Sequence, residues 1–519
     1  MRDMTASSFP QQDEYLELHL TGLSHDGRCV ARREGEPVVF VRGGLPGQRV
    51  LARLGPRRAE SGKRMLEAEL VRVLAPVPDG MGGERPAPCL HAEDCGGCPW
   101  QALPYAVQLA WKERLLADAL TRIGRLRLPQ AVFRPIIPSS SEWGFRNKME
   151  FAFAPGANGL PRLGLRRRSS REVVEISACL LASPRMMRAF AALREAALRS
   201  GLTAWDGRNG LLRHAVLREA GGALLVELIA APAPDSDAVR LRCMGEELVA
   251  SGVADGFAHS ERRAKTDVAY GERTRFHTGQ AELTETLELP RTPGGHDAPL
   301  RLQLGHASFF QINPATASKL YGEALLMALE ALAGTEARAS GGVWKAGEGR
   351  LPSCWDLYCG VGGLALTMAP YFERVLGLES GAPAVTLARK NAKRFPQARF
   401  ECADAARLGE YFRRFGAPDL LVCDPPRAGM NDQVTRAILR ARPGHLVLVS
   451  CNPATLARDL ARLAGGDAAA YEILAVRPVD MFPQTPHVES VVSLRAKAGT
   501  LLSAPSCERA APGGRPFPA

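Results

Sequence analysis

No apolar run in this 519-residue chain approaches the ~18 residues of a membrane span. The polar opening stretch, MRDMTASSFPQQDE, has no apolar signal core. Both absences point to the cytoplasm and away from a membrane. Cysteine is sparse, 12 in the whole chain. That excludes a disulfide scaffold and leaves clustered cysteines to metal binding or catalysis. No internal repeat is present, which excludes solenoids and propellers. Acidic residues fall short of basic ones, 55 against 66, for a net charge of +11. This balance favours a polyanionic partner. What is present is ordinary globular material, 46% hydrophobic and 23% charged, so collagen-like and wholly disordered readings fall away. At roughly 100–200 residues per domain, the length predicts about three domains.

Residues 14–75 read as short strands broken by turns, as expected of a small barrel. Its turns carry Arg53, Arg57, Arg58, Lys63 and Arg64. Pro and Gly crowd residues 75–88, a linker pattern. A central region, 76–300, holds a cysteine cluster and is otherwise hard to parse. From 301 to 499, short apolar runs such as Cys354–Tyr358, Val375–Leu378, Leu420–Cys423 and Leu446–Val449 alternate with helical stretches. That texture predicts a parallel sheet covered on both faces. Residues 334–352 read as a mobile insertion, and 500–519 as a disordered tail.

Cys89, Cys95 and Cys98 form C-x5-C-x2-C, with Gly96 and Gly97 between the last two. The glycines allow tight folding around an ion or a cluster. Four thiolates complete a zinc or [4Fe–4S] site, and Cys179 is the candidate fourth. Spacing alone leaves both metals open. The pattern differs from the C-x3-C-x2-C of radical enzymes, so the cluster reads as a structural staple.

The string Asp356-Leu357-Tyr358-Cys359-Gly360-Val361-Gly362-Gly363 closes a strand and begins a helix. The next strand ends in Glu379, near the ~20-residue spacing at which an acid meets ribose hydroxyls. The third glycine of the dinucleotide fingerprint is missing, which favours an adenosyl cofactor over a dinucleotide. Asp404 and Asp424 fall at later strand ends, where doubly wound sheets bind ligands. Asp404 reads equally as a helix N-cap. Cys451 follows the fifth strand and precedes a helix starting near Pro453, a place where a thiol pKa can be lowered. His487 and Glu489 project from one side of a segment entering another strand.

These strings together resemble the RNA uracil-5-methyltransferase family. The resemblance rests on Phe309-Phe310-Gln311-Ile312-Asn313, on Asp356–Gly360, on Asp424-Pro425-Pro426-Arg427-Ala428-Gly429 with Ser450-Cys451-Asn452, and on Asp480 through Glu489. It spans roughly residues 14–495. Leu448, Gly363 and Leu364 depart from the family's frequent residues there. The resemblance implies an OB-like TRAM barrel, a mixed α+β centre with a [4Fe–4S] cluster, and a Rossmann-like methyltransferase domain. It implies Cys89, Cys95, Cys98 and Cys179 as cluster ligands. Gln311, Tyr358, Gly363, Glu379, Asp404 and Asp424 would line an S-adenosylmethionine pocket. Cys451 would be the nucleophile and Glu489 the base. Phe145-Arg146-Asn147-Lys148 resembles a segment near the RNA. The implied substrate is 23S ribosomal RNA, with a transfer RNA T-loop uridine as alternative and a non-catalytic RNA-binding iron–sulfur protein as a third reading. No obligate protein partner is expected.

Overall fold

The computed structural model describes residues 14–24, 27–55, 65–78, 83–168, 170–290, 298–333, 351–466 and 469–497. Residues 1–13, most of the expected 334–352 insertion, the 500–519 tail and the expected turn residues Arg57, Arg58, Lys63 and Arg64 lie outside them, while Arg53 lies on a strand rather than a turn. The chain divides into two compact units. One comprises Met1–Pro88, Cys98–Trp111 and Gln484–Pro486, and the other comprises the rest.

In the first unit, five strands close a barrel in the order β1-β2-β3-β5-β4. They are β1 (Tyr15–Leu23), β2 (Cys29–Ala31), β3 (Val38–Arg42), β4 (Arg49–Leu54) and β5 (Met65–Ala75). Strand alternation turns Leu18, Leu20, Val39, Val41, Val50 and Ala52 inward, each at most 3% exposed. Gly44 shows why the connecting turn needs glycine. Its φ is +77°, and a Cβ there would lie 2.6 Å from the Leu20 side chain.

The second unit carries two seven-stranded sheets. The first runs β12-β11-β10-β9-β6-β7-β8, from β6 (Lys148–Pro155), β7 (Pro161–Arg166), β8 (Val173–Glu175), β9 (Leu212–Ala220), β10 (Ala223–Ala230), β11 (Gly256–Glu261) and β12 (Arg273–Gly279). Met149, Phe151, Leu217, Leu224, Val226 and Phe257 form its apolar face. They share one core with the helices Pro184–Ser200 and Asp235–Ala250. A hairpin, β13 (Glu282–Leu287) and β14 (Leu300–Gly305), follows.

The second sheet runs β17-β16-β15-β18-β19-β21-β20. Its members are β15 (Leu351–Leu357), β16 (Phe372–Glu379), β17 (Ala398–Cys402), β18 (Leu420–Cys423), β19 (His445–Ser450), β20 (Tyr471–Val479) and β21 (Glu489–Ala496). Alternate residues feed two cores: Leu420 and Val422 join one, Leu421 and Cys423 the other. That is why these strands read as unbroken apolar runs. The first five strands are parallel. The all-parallel expectation fails at the last two, because β21 runs antiparallel to β19 and to β20. This reversal sets Ser450, at the end of β19, opposite Ser490, near the start of β21. The edge strand β20 is covered by residues 133–137, with Arg134 N donating to Val476 O and Ile137 N to Pro478 O, both at 2.9 Å.

Candidate active site

At the carboxyl ends of β15, β16, β18 and β19 lies a cavity of about 620 Å³, a size suited to a small-molecule ligand. The chain turns sharply out of β15. Tyr358 has φ +64°, Gly360 +54° and Gly362 +91°, and non-glycine residues at positive φ concentrate at functional sites. Gly363 then begins the helix Gly363–Met368. A Cβ at Gly363 would lie 2.8 Å from the Tyr321 ring, so only glycine leaves this wall of the cavity in place. Asp356 caps the helix, its Oδ2 accepting from Ala365 N at 2.8 Å. Burial, and then the charges of Asp424 and Glu379, push the Asp356 carboxyl well up. Glu379 holds the turn from the next strand: Oε2 accepts from Gly360 N (3.2 Å) and Oε1 from Gly381 N (2.7 Å).

Of the cofactor residues expected from sequence, Gln311, Tyr358, Gly363, Glu379 and Asp424 line this cavity. Asp404 is not among its lining residues. Its Oδ1 accepts from Ala406 N at 2.8 Å as an N-cap, and its charge reaches Tyr358. Gln311 sits on the segment Phe309–Asn313, which is fastened from behind. Asn147 Nδ2 donates to Gln311 O (3.2 Å), and Asn147 N donates to Ile312 O (2.9 Å). Arg218, buried on β9, donates to Ser308 O. Phe309 itself stands 69% exposed.

Cys451 and Glu489 face the same cavity as Asp424 and Arg427. The antiparallel β21 makes this possible, since its first residue lies beside the end of β19. Asn452 caps the helix Pro453–Ala464 and donates through Nδ2 to Arg427 O (3.1 Å), which ties the cysteine turn to the Asp-Pro-Pro-Arg loop. The expected lowering of the thiol pKa is not found. Burial, then the charges of Glu489 and Asp424, push Cys451 up to about 11, and Arg427 only partly offsets them. A helix terminus does not outweigh desolvation beside two carboxyl groups. Burial lifts Asp424 to about 7. It lifts Glu489 well above the usual range, with Asp424 adding to the rise and Arg427 opposing it. His487 does not line the cavity with Glu489. Its ring meets Phe482 edge-on, with centroids 6.1 Å apart, and burial, with Arg427, Lys112 and Arg146, lowers it to about 4.

Three of the four expected cluster cysteines belong to the second unit. Burial raises Cys95, as does the charge of Cys89, while a hydrogen bond from Gly97 N and the charges of Arg168 and Arg146 lower it. Cys179 is raised by burial and by Cys95, and lowered by the Leu181 and Ala182 amides and Arg146. Cys98 belongs to the first unit, where its carbonyl accepts from Gln101 Nε2 at 3.3 Å. Among the described residues, no group of three or more His, Cys, Asp or Glu is arranged to hold a metal ion. The donors themselves are soft thiols, a type that zinc and an iron–sulfur cluster both accept. No described helix is long and apolar enough to cross a membrane.

Sequence reading assigned no role to Arg427, Tyr321 or Phe482, which line the cavity. Arg427 had a signal, standing inside the Asp-Pro-Pro-Arg string. Tyr321 lies in an apolar helix and had none.

The tRNA (uracil-5-)-methyltransferase family model matches residues 344–497. An RNA methyltransferase of Nitratidesulfovibrio vulgaris is 39% identical over 93% of this chain and 96% of its own length. One of Thermosynechococcus vestitus is 33% identical over 93% and 98%. Among solved structures, the Pyrococcus abyssi tRNA (uracil-54, C5)-methyltransferase in complex with S-adenosyl-L-homocysteine is 25% identical, with a TM-score of 0.63 over 92% of this chain and all of that one.

Proposed function

Because this chain belongs to the RNA uracil-5-methyltransferase family, we propose that it methylates a uridine of 23S ribosomal RNA at C5 through a covalent adduct. That it is an S-adenosylmethionine-dependent RNA methyltransferase follows from the family. The observation that supports the covalent route is the meeting of Cys451 and Glu489 in one cavity with the glycine turn.

Uracil C5 is a weak nucleophile. Cys451 first gives up its thiol proton to solvent; the thiolate then adds to C6, forming an S–C6 bond as the C5=C6 π pair moves onto C5 and O4, which makes C5 nucleophilic. S-adenosylmethionine, when bound, supplies an electrophilic methyl group. Gln311, Tyr358, Gly363, Glu379, Asp404 and Asp424 are the residues proposed to bind and orient it. With the methyl on C5, Glu489, which its raised pKa makes a stronger base once it has given up its own proton, takes the C5 proton. That electron pair restores C5=C6, and the C6–S bond breaks to return the thiolate. The target uridine must be splayed out of its stack to reach the cavity.

We assign residues 14–75 to RNA binding, 76–300 to a cluster-bearing RNA platform with Phe145–Lys148, and 301–499 to methyl transfer. Cys89, Cys95, Cys98 and Cys179 would hold a [4Fe–4S] cluster as a staple, a reading supported by their resemblance to the family's cluster ligands. Barrel plus cysteines favours ribosomal RNA. A transfer RNA T-loop uridine is the second reading, favoured by the likeness to the Pyrococcus abyssi enzyme. The test is incubation with S-adenosylmethionine and either 23S fragments or a T-loop transcript, then nucleoside mass spectrometry. New 5-methyluridine in the 23S fragments is expected. Its appearance only in the T-loop RNA would move the assignment to the second reading.

A further inference from the structure

Between β20 and β21 the chain forms an irregular loop that ends at Glu489. Its first residue, Asp480, is fully buried, and so is its partner Lys112, on the helix Tyr105–Arg122. The two are 368 residues apart in sequence. The Lys112 ammonium ion-pairs with Asp480 Oδ1 and also donates to Phe482 O at 2.9 Å. The same Oδ1 accepts from Phe482 N at 3.2 Å. Lys112 thus clasps both ends of one turn. Asp480 N donates to Ile137 O at 2.9 Å, which fixes the backbone at the same point.

The geometry couples this clasp to the reaction. Val479, the residue before Asp480, is the register partner of Glu489 across the β20–β21 pair. Phe482, the residue at the far end of the clasp, lines the cavity with Cys451 and Glu489. Burial lowers the Lys112 ammonium pKa, and Asp480 draws it back up. A buried ion pair is a poor source of net stability, because desolvation offsets the attraction and an apolar pair of the same shape serves equally well. Its use at the root of a loop is better explained by conformational specificity.

We propose that Lys112, through Asp480 and the Phe482 carbonyl, is a positioning residue for Glu489, holding its carboxyl at the distance from the adduct needed to remove the C5 proton. This rests on the covalent reading above. Sulfur addition and methyl transfer do not use Glu489, whereas release of the adduct does. Loosening the clasp therefore has a signature that loss of stability lacks: adduct builds up on ordinary, unfluorinated RNA.

The test compares wild type, Lys112→Met and the double variant Lys112→Met/Asp480→Leu. The double variant removes both charges and leaves neither buried alone. Melting temperature, S-adenosylhomocysteine affinity, kcat and covalent adduct on a denaturing gel are measured for each. The double variant is expected to melt near wild type and to bind S-adenosylhomocysteine unchanged. Its kcat is expected to fall by about 10- to 100-fold, as for a displaced catalytic group, with adduct accumulating on uridine RNA. A double variant that turns over at the wild-type rate overturns the proposal. So does reduced turnover without adduct, and so does failure to fold, which assigns the pair to stability. Wild type that methylates no uridine RNA overturns instead the reading beneath.

Discussion

A half-buried thiol beside two carboxyl groups is a reluctant nucleophile, and Cys451 is such a thiol. Burial and the charges of Glu489 and Asp424 hold it up to about 11, so at neutral pH it is protonated until the site fills. Alkylation of RNA-free protein by iodoacetamide at Cys451 should therefore rise about tenfold per pH unit from pH 7 through pH 10, because the thiolate fraction does so below the pKa. Peptide mass spectrometry reads the rate, and a plateau below pH 8 would contradict the assignment. In the proposed reaction Glu489 serves the opposite half. Glu489→Gln should lower turnover by ~10²–10⁴ while sparing sulfur addition, the range typical of general base catalysis. The gel would show adduct retained on uridine RNA, and wild-type release would remove Glu489 from the mechanism. That both residues line one cavity was suggested by the sequence, because each sits in a short, chemically distinctive string. The direction of the thiol shift was not, since burial is a tertiary quantity that no local string encodes.

At the scale of elements, the strand-end turns decide what the cavity holds. Gly363→Ala places a Cβ 2.8 Å from the Tyr321 ring, so either the ring or the helix start must move. S-adenosylhomocysteine affinity is expected to fall by about tenfold, or ~1.4 kcal/mol, by calorimetry, with the melting temperature nearly unchanged. Gly377→Ala acts differently. Its Cβ would lie 2.4 Å from the Phe400 ring on the neighbouring strand, an overpacking that costs about 1–3 kcal/mol and is read as a lower melting temperature. The parallel strands β15, β16, β18 and β19 were legible as apolar runs, because both faces are covered. The reversal at β20 and β21 was not, although it carries Glu489 to Cys451. Strand direction depends on which neighbour a strand pairs with, and apolar pattern alone does not carry that. The central sheet was opaque for a related reason. Strand β9 is buried on nearly every residue, His214 and Arg218 included, so the polar–apolar alternation that marks a half-exposed strand is absent.

For the whole molecule, the net charge of +11 agrees with an RNA partner. Affinity for RNA should fall steeply and log-linearly with salt, as it does when cations displace condensed counterions. The cysteines proposed to hold a cluster show where sequence and structure carry different information. Their spacing is visible in the chain, while the shared electrostatics of Cys89, Cys95 and Cys179 appear only once residues 89 to 179 are folded together. Protein purified without oxygen should be brown, with broad visible absorbance lost on oxidation. A colourless preparation that contains zinc and is fully active would remove the iron–sulfur assignment and leave the catalytic one standing. The contact between Lys112 and Asp480 lies at the far limit of legibility, since no local pattern links residues 368 apart.

The central claim is that Cys451 adds to C6 of a uridine, and a single trapping experiment tests it. RNA carrying 5-fluorouridine at the target position retains fluorine at C5 after methyl transfer, so Glu489 has no proton to remove and the adduct cannot release. Wild-type protein, S-adenosylmethionine and fluorinated 23S fragments, run on a denaturing gel beside Cys451→Ser, should give a slow covalent band with wild type alone. Unmodified RNA methylated by the same protein, with no covalent band on its fluorinated counterpart or with an equal band from Cys451→Ser, would contradict the account.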